Sequence, residues 1–507
     1  MWIERAAAVL GLLIATIGVG AAPAAEVKGP ASAAATTPRI FQTNGEGNFG
    51  GVRMRYSATF EEFLLPGGAA APGASVFAIT YTRSDTKDVV ARPVIFAFNG
   101  GPGSASIWLH MGLLGPRRID FDDPAAPKTI APFRTVANPD SPLDVADIVL
   151  IDPPGTGYSR ILPGGEPEEF YGVRQDAQAM VDVVGQWLRR HGRINSPKYL
   201  LSESYGTIRA AVMARLLAGG PTQTGSMDGV SLNGVILLGQ ALDMARGAEG
   251  DDRGYLAVLP SLAAAACYFS KVATGCTPEG QVEAARGFIE TSYLSALYAG
   301  SRLPADRKAN VARQMSALIG LSEKDILAGD LRISGSAFAK LLLADRGQRI
   351  GLYDARFVLP SQGAGSDPVA DDPAMGQYVP GFIGAWNDYA ANQLKVSLDA
   401  PYQAIAFRDI NGRWDYGFGS GVPHGANFAT DLAAAMTRNP GMRLMVGTGY
   451  YDLVTPLGSV EYTLAHAGVP LTATTLHAYP SGHMPYLGAA SRAALIRDIR
   501  AFVGGGR

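Results

Sequence analysis

The chain has 507 residues, of which 47% are apolar and 17% charged, with a formal net charge of −2. That balance excludes a disordered chain, and the even charge without a basic run excludes nucleic-acid binding as the leading function. The length gives room for a large core and about two or three domain-sized units.

The first 25 residues have the pattern of an export signal. Arg5 supplies positive charge, Ala6 to Ala22 is apolar, and Ala22-Pro23-Ala24 offers small residues for cleavage. The apolar stretch is shorter than the roughly 20 residues a membrane-spanning helix needs, and no later segment supplies one. The expectation is a periplasmic or secreted protein with no stable membrane insertion. Residues 26–49 follow as a flexible leader, rich in Ala, Pro, Ser and Thr up to Thr37.

From residue 50 the pattern is that of a folded domain. Met54 to Phe60 and Val76 to Tyr81 read as early antiparallel strands. Val94 to Phe98, Ile148 to Ile151, Tyr199 to Leu201 and Val235 to Leu238 read as short buried strands. Helix patterns lie between them, as at Asp176 to Arg190 and Thr207 to Leu217. Such alternation predicts a mostly parallel sheet covered by helices on both faces.

The pattern changes at residue 243. Helix formers dominate to about residue 345, and residues 361–380 read as a polar loop. Strand and helix patterns resume at Phe428 to Met436 (helix) and Arg443 to Val446 (strand). Residues 243–420 are therefore expected to be a helical cap inserted between two parts of one α/β core, 50–242 and 421–507. Insertions at the C-terminal ends of strands lie where ligands bind in open sheets. The insertion holds both cysteines, Cys267 and Cys276, whose short separation is compatible with a disulfide in an oxidising compartment.

Three residues stand out for chemistry. Ser204 lies in Ser202-Glu203-Ser204-Tyr205-Gly206, between a buried strand and an Ala-rich helix. That sharp turn lifts a hydroxyl out at the end of a strand. Asp452 follows the Leu444 to Val446 run and Gly447-Thr448-Gly449. His483 follows Pro480-Ser481-Gly482. A hydroxyl becomes a nucleophile when a base takes its proton and an acid orients the base. The chain order Ser, Asp, His is that of α/β-hydrolases. In that fold one oxyanion donor comes from the loop after an early strand, here Asn99-Gly100-Gly101-Pro102-Gly103. The other is the N–H after the nucleophile, here Tyr205. No spaced Cys/His cluster indicates a metal, no cofactor motif is present, and the remaining histidines lack such a turn.

Four stretches carry a closer resemblance. They are Asn99-Gly100-Gly101-Pro102-Gly103-Ser104, the run Asp152 to Ser159, Glu203-Ser204-Tyr205-Gly206 and Gly482-His483-Met484. Together they resemble the serine carboxypeptidase family, most nearly its bacterial branch, from about residue 50 to the C-terminus. The resemblance implies an α/β-hydrolase fold with a helical insertion, and removal of single residues from peptides with a free C-terminus. It implies Ser204 as nucleophile, His483 as base, Asp452 as its partner, and the Gly101 and Tyr205 N–H groups as the oxyanion hole. It also implies that Asn99, Gly100 and Glu203 hold the substrate's terminal carboxylate. The residues agree on Glu203: an ionised acid beside the nucleophile would repel a carboxylate, whereas a protonated one donates a hydrogen bond. Two positions depart from the family. Ser104 replaces a cysteine usual in eukaryotic members, and Leu113 stands where some members have a second glutamate. The alternative readings are an esterase or acyltransferase on the same triad, and a non-catalytic peptide-binding protein.

Overall fold

The computed structural model describes residues 37–68, 71–121, 123, 127–222, 229–244, 250–363, 365–417 and 427–505. The export signal expected in residues 1–25 lies outside them. Strands β1 (Ile40–Phe49), β2 (Val52–Pro66) and β3 (Pro72–Arg83) form an antiparallel meander. β4 (Val94–Phe98) enters the sheet centre, and the short pair β5 (Arg117–Ile119) and β6 (Thr135–Ala137) stands apart. β7 (Asp147–Ile151), β9 (Lys198–Glu203) and β10 (Gly234–Leu238) join β4, while the two-residue β8 (Arg160–Ile161) pairs with β3. A second detached pair, β11 (Gln348–Ile350) and β12 (Val358–Pro360), lies in the insertion. β13 (Arg443–Gly449) and β14 (Thr474–Tyr479) complete the sheet, in the order β1-β2-β3-β7-β4-β9-β10-β13-β14. The run from β7 to β14 is parallel throughout.

Alternation along each strand sends side chains to two cores. Val94, Phe96 and Phe98 of β4 pack with helices Val173–Arg190, Gly206–Leu217 and Ala429–Arg438. Ile95 and Ala97 face the opposite side, with helices Pro373–Asn392 and Ala489–Gly504. This two-sided cover is why the central strands read as continuous apolar runs.

Three expectations need correction. Residues 40–49, placed in a flexible leader, form β1, hydrogen-bonded along its whole length to β2. Phe41 and Phe49 alternate inward there, with Phe41 against Phe60 and Phe49 against Tyr56. The loop expected over 361–380 ends early, because helix Pro373–Asn392 begins inside it. Asp372 caps that helix by accepting from the N–H groups of Ala374 (2.9 Å) and Met375 (3.2 Å), and Pro373 sits in its first turn. The insertion is also not one body. Residues from Val258 to Ala355 build their own core, whereas Tyr378, Phe382 and Trp386 are part of the sheet's core.

Cys267 and Cys276 are joined in a disulfide across the turn between helices Arg253–Tyr268 and Pro278–Phe288. A cross-link over so short a loop restricts the unfolded chain by about 2–3 kcal/mol. Replacing both cysteines by serine is expected to lower unfolding stability by that amount, and guanidinium titration of the variant against the parent measures it.

Candidate active site

β9 ends at Glu203 and the next helix begins at Gly206. Between them Ser204 has φ +59°, a left-handed conformation that a serine adopts only under strain. Its N–H donates to the Leu238 carbonyl at 2.9 Å. Its own carbonyl accepts from the Thr207 N–H at 2.8 Å and the Thr207 hydroxyl at 2.7 Å. The strained turn is thus tied to the end of β10 and to the first turn of the helix. The Ser204 side of the turn is half-buried, while Glu203 and Tyr205 are buried.

Asp452 and His483 come from the loops after β13 and β14, which are adjacent and parallel. His483 Nδ1 lies 2.9 Å from Asp452 Oδ2. Asp452 Oδ1 accepts from the N–H groups of Val454 (2.8 Å) and Thr455 (2.9 Å), and Oδ2 accepts from the Thr455 hydroxyl at 2.5 Å. Asp452 is fully buried. Burial disfavours the His483 cation, but the charge and hydrogen bond of Asp452, aided by Glu203 and Asp372, outweigh it and raise the imidazole above its ordinary range. The ring stands over the end of β10: a Cβ on Gly239 would lie 3.2 Å from Nδ1. The Ser204 hydroxyl and the His483 ring share this strand end without a hydrogen bond between them.

The loop after β4 lies on the Ser204 turn. A Cβ on Gly100 would sit 2.5 Å from the Tyr205 nitrogen and 2.6 Å from that of Gly206, so only glycine permits this approach. The N–H groups of Gly101 and Tyr205 have no partner among the described residues. Asn99 joins the same cluster: its Nδ2 donates to Glu203 Oε1 at 2.8 Å, and its Oδ1 accepts from the Leu109 N–H at 3.0 Å. Glu203 Oε2 is buried without a hydrogen bond. Burial pushes this carboxyl up to about 7, opposed in part by His483, Tyr486 and Asn99. The Tyr486 hydroxyl faces the carboxyl but makes no well-formed bond to it. No second carboxyl hydrogen-bonds Glu203 among the described residues, and Leu113 is buried in the apolar core.

Asn99, Gly100, Gly101, Glu203, Ser204, Tyr205, Asp452 and His483 therefore gather at the C-terminal ends of β4, β9, β10, β13 and β14. Several neighbours had escaped notice. Thr455 bonds Asp452, and an Asp-x-x-Thr turn is the local signal that would have found it. Trp414 donates to the Tyr205 hydroxyl at 3.0 Å, brought there by the insertion. Arg209, fully buried, pairs with Asp176 at 2.6 Å and donates to the Asn99 carbonyl at 2.5 Å. Nothing in spacing announces these last two. Asp152 is buried, with burial raising it to about 6, and it accepts from the Ser106 N–H at 2.8 Å. It ties two site loops together. Among the described residues no cluster of His, Cys, Asp or Glu is built to hold a metal.

Residues 72–249 match the family described as serine carboxypeptidase. The segment contains the glycine loop, Asp152 to Ser159 and the Ser204 turn, and ends before Asp452 and His483. No curated protein matches the sequence. The structure is similar to that of Kex1(delta)p, a prohormone-processing carboxypeptidase from Saccharomyces cerevisiae. The TM-score is 0.55 at 14% identity, covering 88% of this chain and 91% of that one, which establishes a shared α/β-hydrolase fold. Juvenile hormone epoxide hydrolase from the silkworm Bombyx mori also aligns, at a TM-score of 0.37 and 12% identity, over 89% of this chain and 79% of that one.

Removing the Arg209 guanidinium would leave Asp176 charged and buried. Arg209→Met is expected to cost about 3–5 kcal/mol of stability. Denaturant unfolding of the variant, compared with the Asp176→Asn/Arg209→Met double variant, measures it; the double variant should recover part of the loss.

Proposed function

We propose that this chain is a serine-type carboxypeptidase that releases single residues from the free C-termini of peptides through an acyl-enzyme on Ser204. The observation that carries this reading is the buried Glu203–Asn99 pair beside the strained Ser204 turn. A hydrolase acting on neutral esters has no use for a carboxyl raised to about 7 at that position. In its protonated form Glu203 has a hydrogen to donate from Oε2, the atom without a partner. Together with the Asn99 side chain and the Gly100 backbone, it forms a receptor for the substrate's terminal carboxylate.

The chemistry then follows the roles. His483 takes the Ser204 proton while Oγ attacks the last peptide carbonyl. The negative oxygen of the tetrahedral intermediate is held by the Gly101 and Tyr205 N–H groups. His483 returns the proton to the leaving nitrogen, the C–N bond breaks, and the terminal residue departs. Water, deprotonated by the same imidazole, then cleaves the ester. Asp452 holds the Nδ1–H and stabilises the imidazolium. The 253–357 helices and the 403–415 segment border this site as a cap. Export to the periplasm or beyond is part of the reading and rests on residues 1–25.

Ser204→Ala is expected to lower kcat/KM by at least about a thousandfold with the fold intact, His483→Ala nearly as much, and Asp452→Asn no more than either. Steady-state kinetics with circular dichroism checks this; a Ser204→Ala enzyme with a few percent of parental turnover would remove the assignment.

The pH dependence separates a carboxypeptidase from an esterase. His483 must be neutral, so activity rises as pH passes its raised value. Glu203 must be protonated, so binding of peptide acids weakens as pH rises through about 7, chiefly in KM. Peptide amides and esters lack a carboxylate and should keep only the acidic limb. Glu203→Gln keeps a donor that does not titrate and should flatten the alkaline loss. Profiles of kcat/KM for one peptide acid and its amide decide it, and identical parental profiles would take Glu203 out of carboxylate recognition.

A further inference from the structure

The loops bearing Asp452 and His483 touch each other directly, with the Tyr451 N–H donating to the Ser481 carbonyl at 3.0 Å. A third segment, residues 351–357, is wedged against both. It belongs to the insertion, as the loop between β11 and β12. The Leu453 N–H donates to the Leu352 carbonyl at 3.0 Å, the His483 N–H to the Tyr353 carbonyl at 2.6 Å, and the Ala355 N–H to the Tyr451 carbonyl at 3.0 Å. The Tyr353 ring meets the His483 ring edge-on, with centroids 5.3 Å apart. The approach leaves no room for a side chain at residue 482, where a Cβ would sit 2.4 Å from the Asp354 Cβ.

Arg356 sits at the centre of this contact. It is 8% exposed and its partner Asp354 only 1%. Arg356 Nε donates to Asp354 Oδ1 at 2.9 Å and Nη2 to Oδ2 at 2.5 Å, a two-pronged pair. The remaining hydrogens are turned on the loop that carries His483. Nη1 donates to the Pro480 carbonyl at 2.8 Å, and Nη2 lies 3.1 Å from the Ser481 hydroxyl and 3.3 Å from the Leu487 carbonyl. The chain is thus gripped on both sides of His483 by one planar cation, a geometry that lysine does not reproduce.

We propose that Arg356, oriented by Asp354, is a positioning residue for His483, and that the insertion thereby forms part of the scaffold of the catalytic base. Arg356 touches neither substrate nor reacting atoms. It acts through the Pro480–Leu487 turn, which sets the ring's distance and tilt toward Asp452. The charged groups facing the imidazole itself are Asp452, Glu203 and Asp372. The Arg356 charge is matched by Asp354 on its own segment, so its influence is on geometry. Displacing a catalytic group by about 1 Å is enough to cost about a hundredfold in rate.

The inference rests on the triad reading above, and its test separates the two. Full-length Arg356→Met and Arg356→Lys are compared with the parent, counting active sites by fluorophosphonate titration. Three readings are taken: kcat per titrated site and KM for a peptide acid, the same for a chromogenic ester, and the low-field proton resonance of the His483–Asp452 hydrogen bond. The expected result is a fall in kcat per titrated site of about 10- to 100-fold on both substrates, with KM little changed and the low-field resonance shifted or lost. Arg356→Lys, which keeps a cation beside Asp354, should lose less and serves as the deciding variant if Arg356→Met does not fold. A folded variant with parental kcat per titrated site and an unmoved resonance overturns the proposal, even if its melting temperature drops, because only a structural role would remain. Failure of the triad reading would show independently, as turnover persisting in Ser204→Ala.

Discussion

The site depends on one strained residue. Ser204 occupies a backbone region costing about 1–3 kcal/mol for a residue with a Cβ. It stays there because its surroundings leave no alternative: its N–H is held by β10, its carbonyl by Thr207, and the next residues begin a helix packed on the sheet. Relaxing the turn would break those bonds and swing the hydroxyl away from the strand ends. The same turn leaves the Tyr205 N–H without a partner among the described residues and leaves space above it that only a glycine at position 100 can share. The placement of the Ser204 hydroxyl, the Tyr205 N–H and the Glu203 carboxyl therefore follows from a single backbone conformation.

Beneath that turn the protein buries more polarity than its core would tolerate unpaired. Arg209, on the helix that Ser204 launches, reaches Asp176 on the neighbouring helix and the Asn99 carbonyl on the glycine loop. Its guanidinium also lies 5.5 Å from the centroids of the Phe98 and Tyr205 rings. A buried ion pair is weak evidence for stability but fixes registry well. Here it fixes the glycine loop that carries Gly101 against the helix start that follows Tyr205.

How much of this could be read from the chain follows from where the constraints act. Val94–Phe98 was legible because a strand covered on both faces must be apolar throughout. The gathering of Ser204, Asp452 and His483 was legible because a side chain presented at a strand end needs a tight turn, and tight turns need glycine or proline nearby. Arg209 and Trp414 were not, because their side-chain partners Asp176 and Tyr205 are 33 and 209 residues away. Arg356 was not either, because apart from the adjacent Asp354 its contacts fall on the His483 loop, 124 or more residues away. Helix Pro373–Asn392 was hidden by Pro380 and its glycines, which read as loop, although Asp372-Pro373 was a start signal. β1 was hidden because the inward face between Phe41 and Phe49 carries only Thr43 and two glycines, too little apolar character to stand out before β2 is known to lie beside it.

The two titrating groups of the site also bear on one another. An ionised Glu203 raises His483, and a protonated His483 lowers Glu203. Charge on either group therefore favours charge on the other, and the form required by the proposed chemistry, neutral at both, is the one their mutual attraction opposes. The protein counters this by burial, which is the largest influence on each and favours the neutral form of both. Burial is supplied by the packing around the strand ends: Tyr486 and Tyr378 beside Glu203, and Tyr353 against His483. Two of those three aromatics, Tyr353 and Tyr378, come from the insertion. Apparent pKa values measured at such a pair belong to the pair and not to either residue. Exclusion of water by the insertion is thus as much a part of the proposed acid–base chemistry as the groups that would exchange the protons.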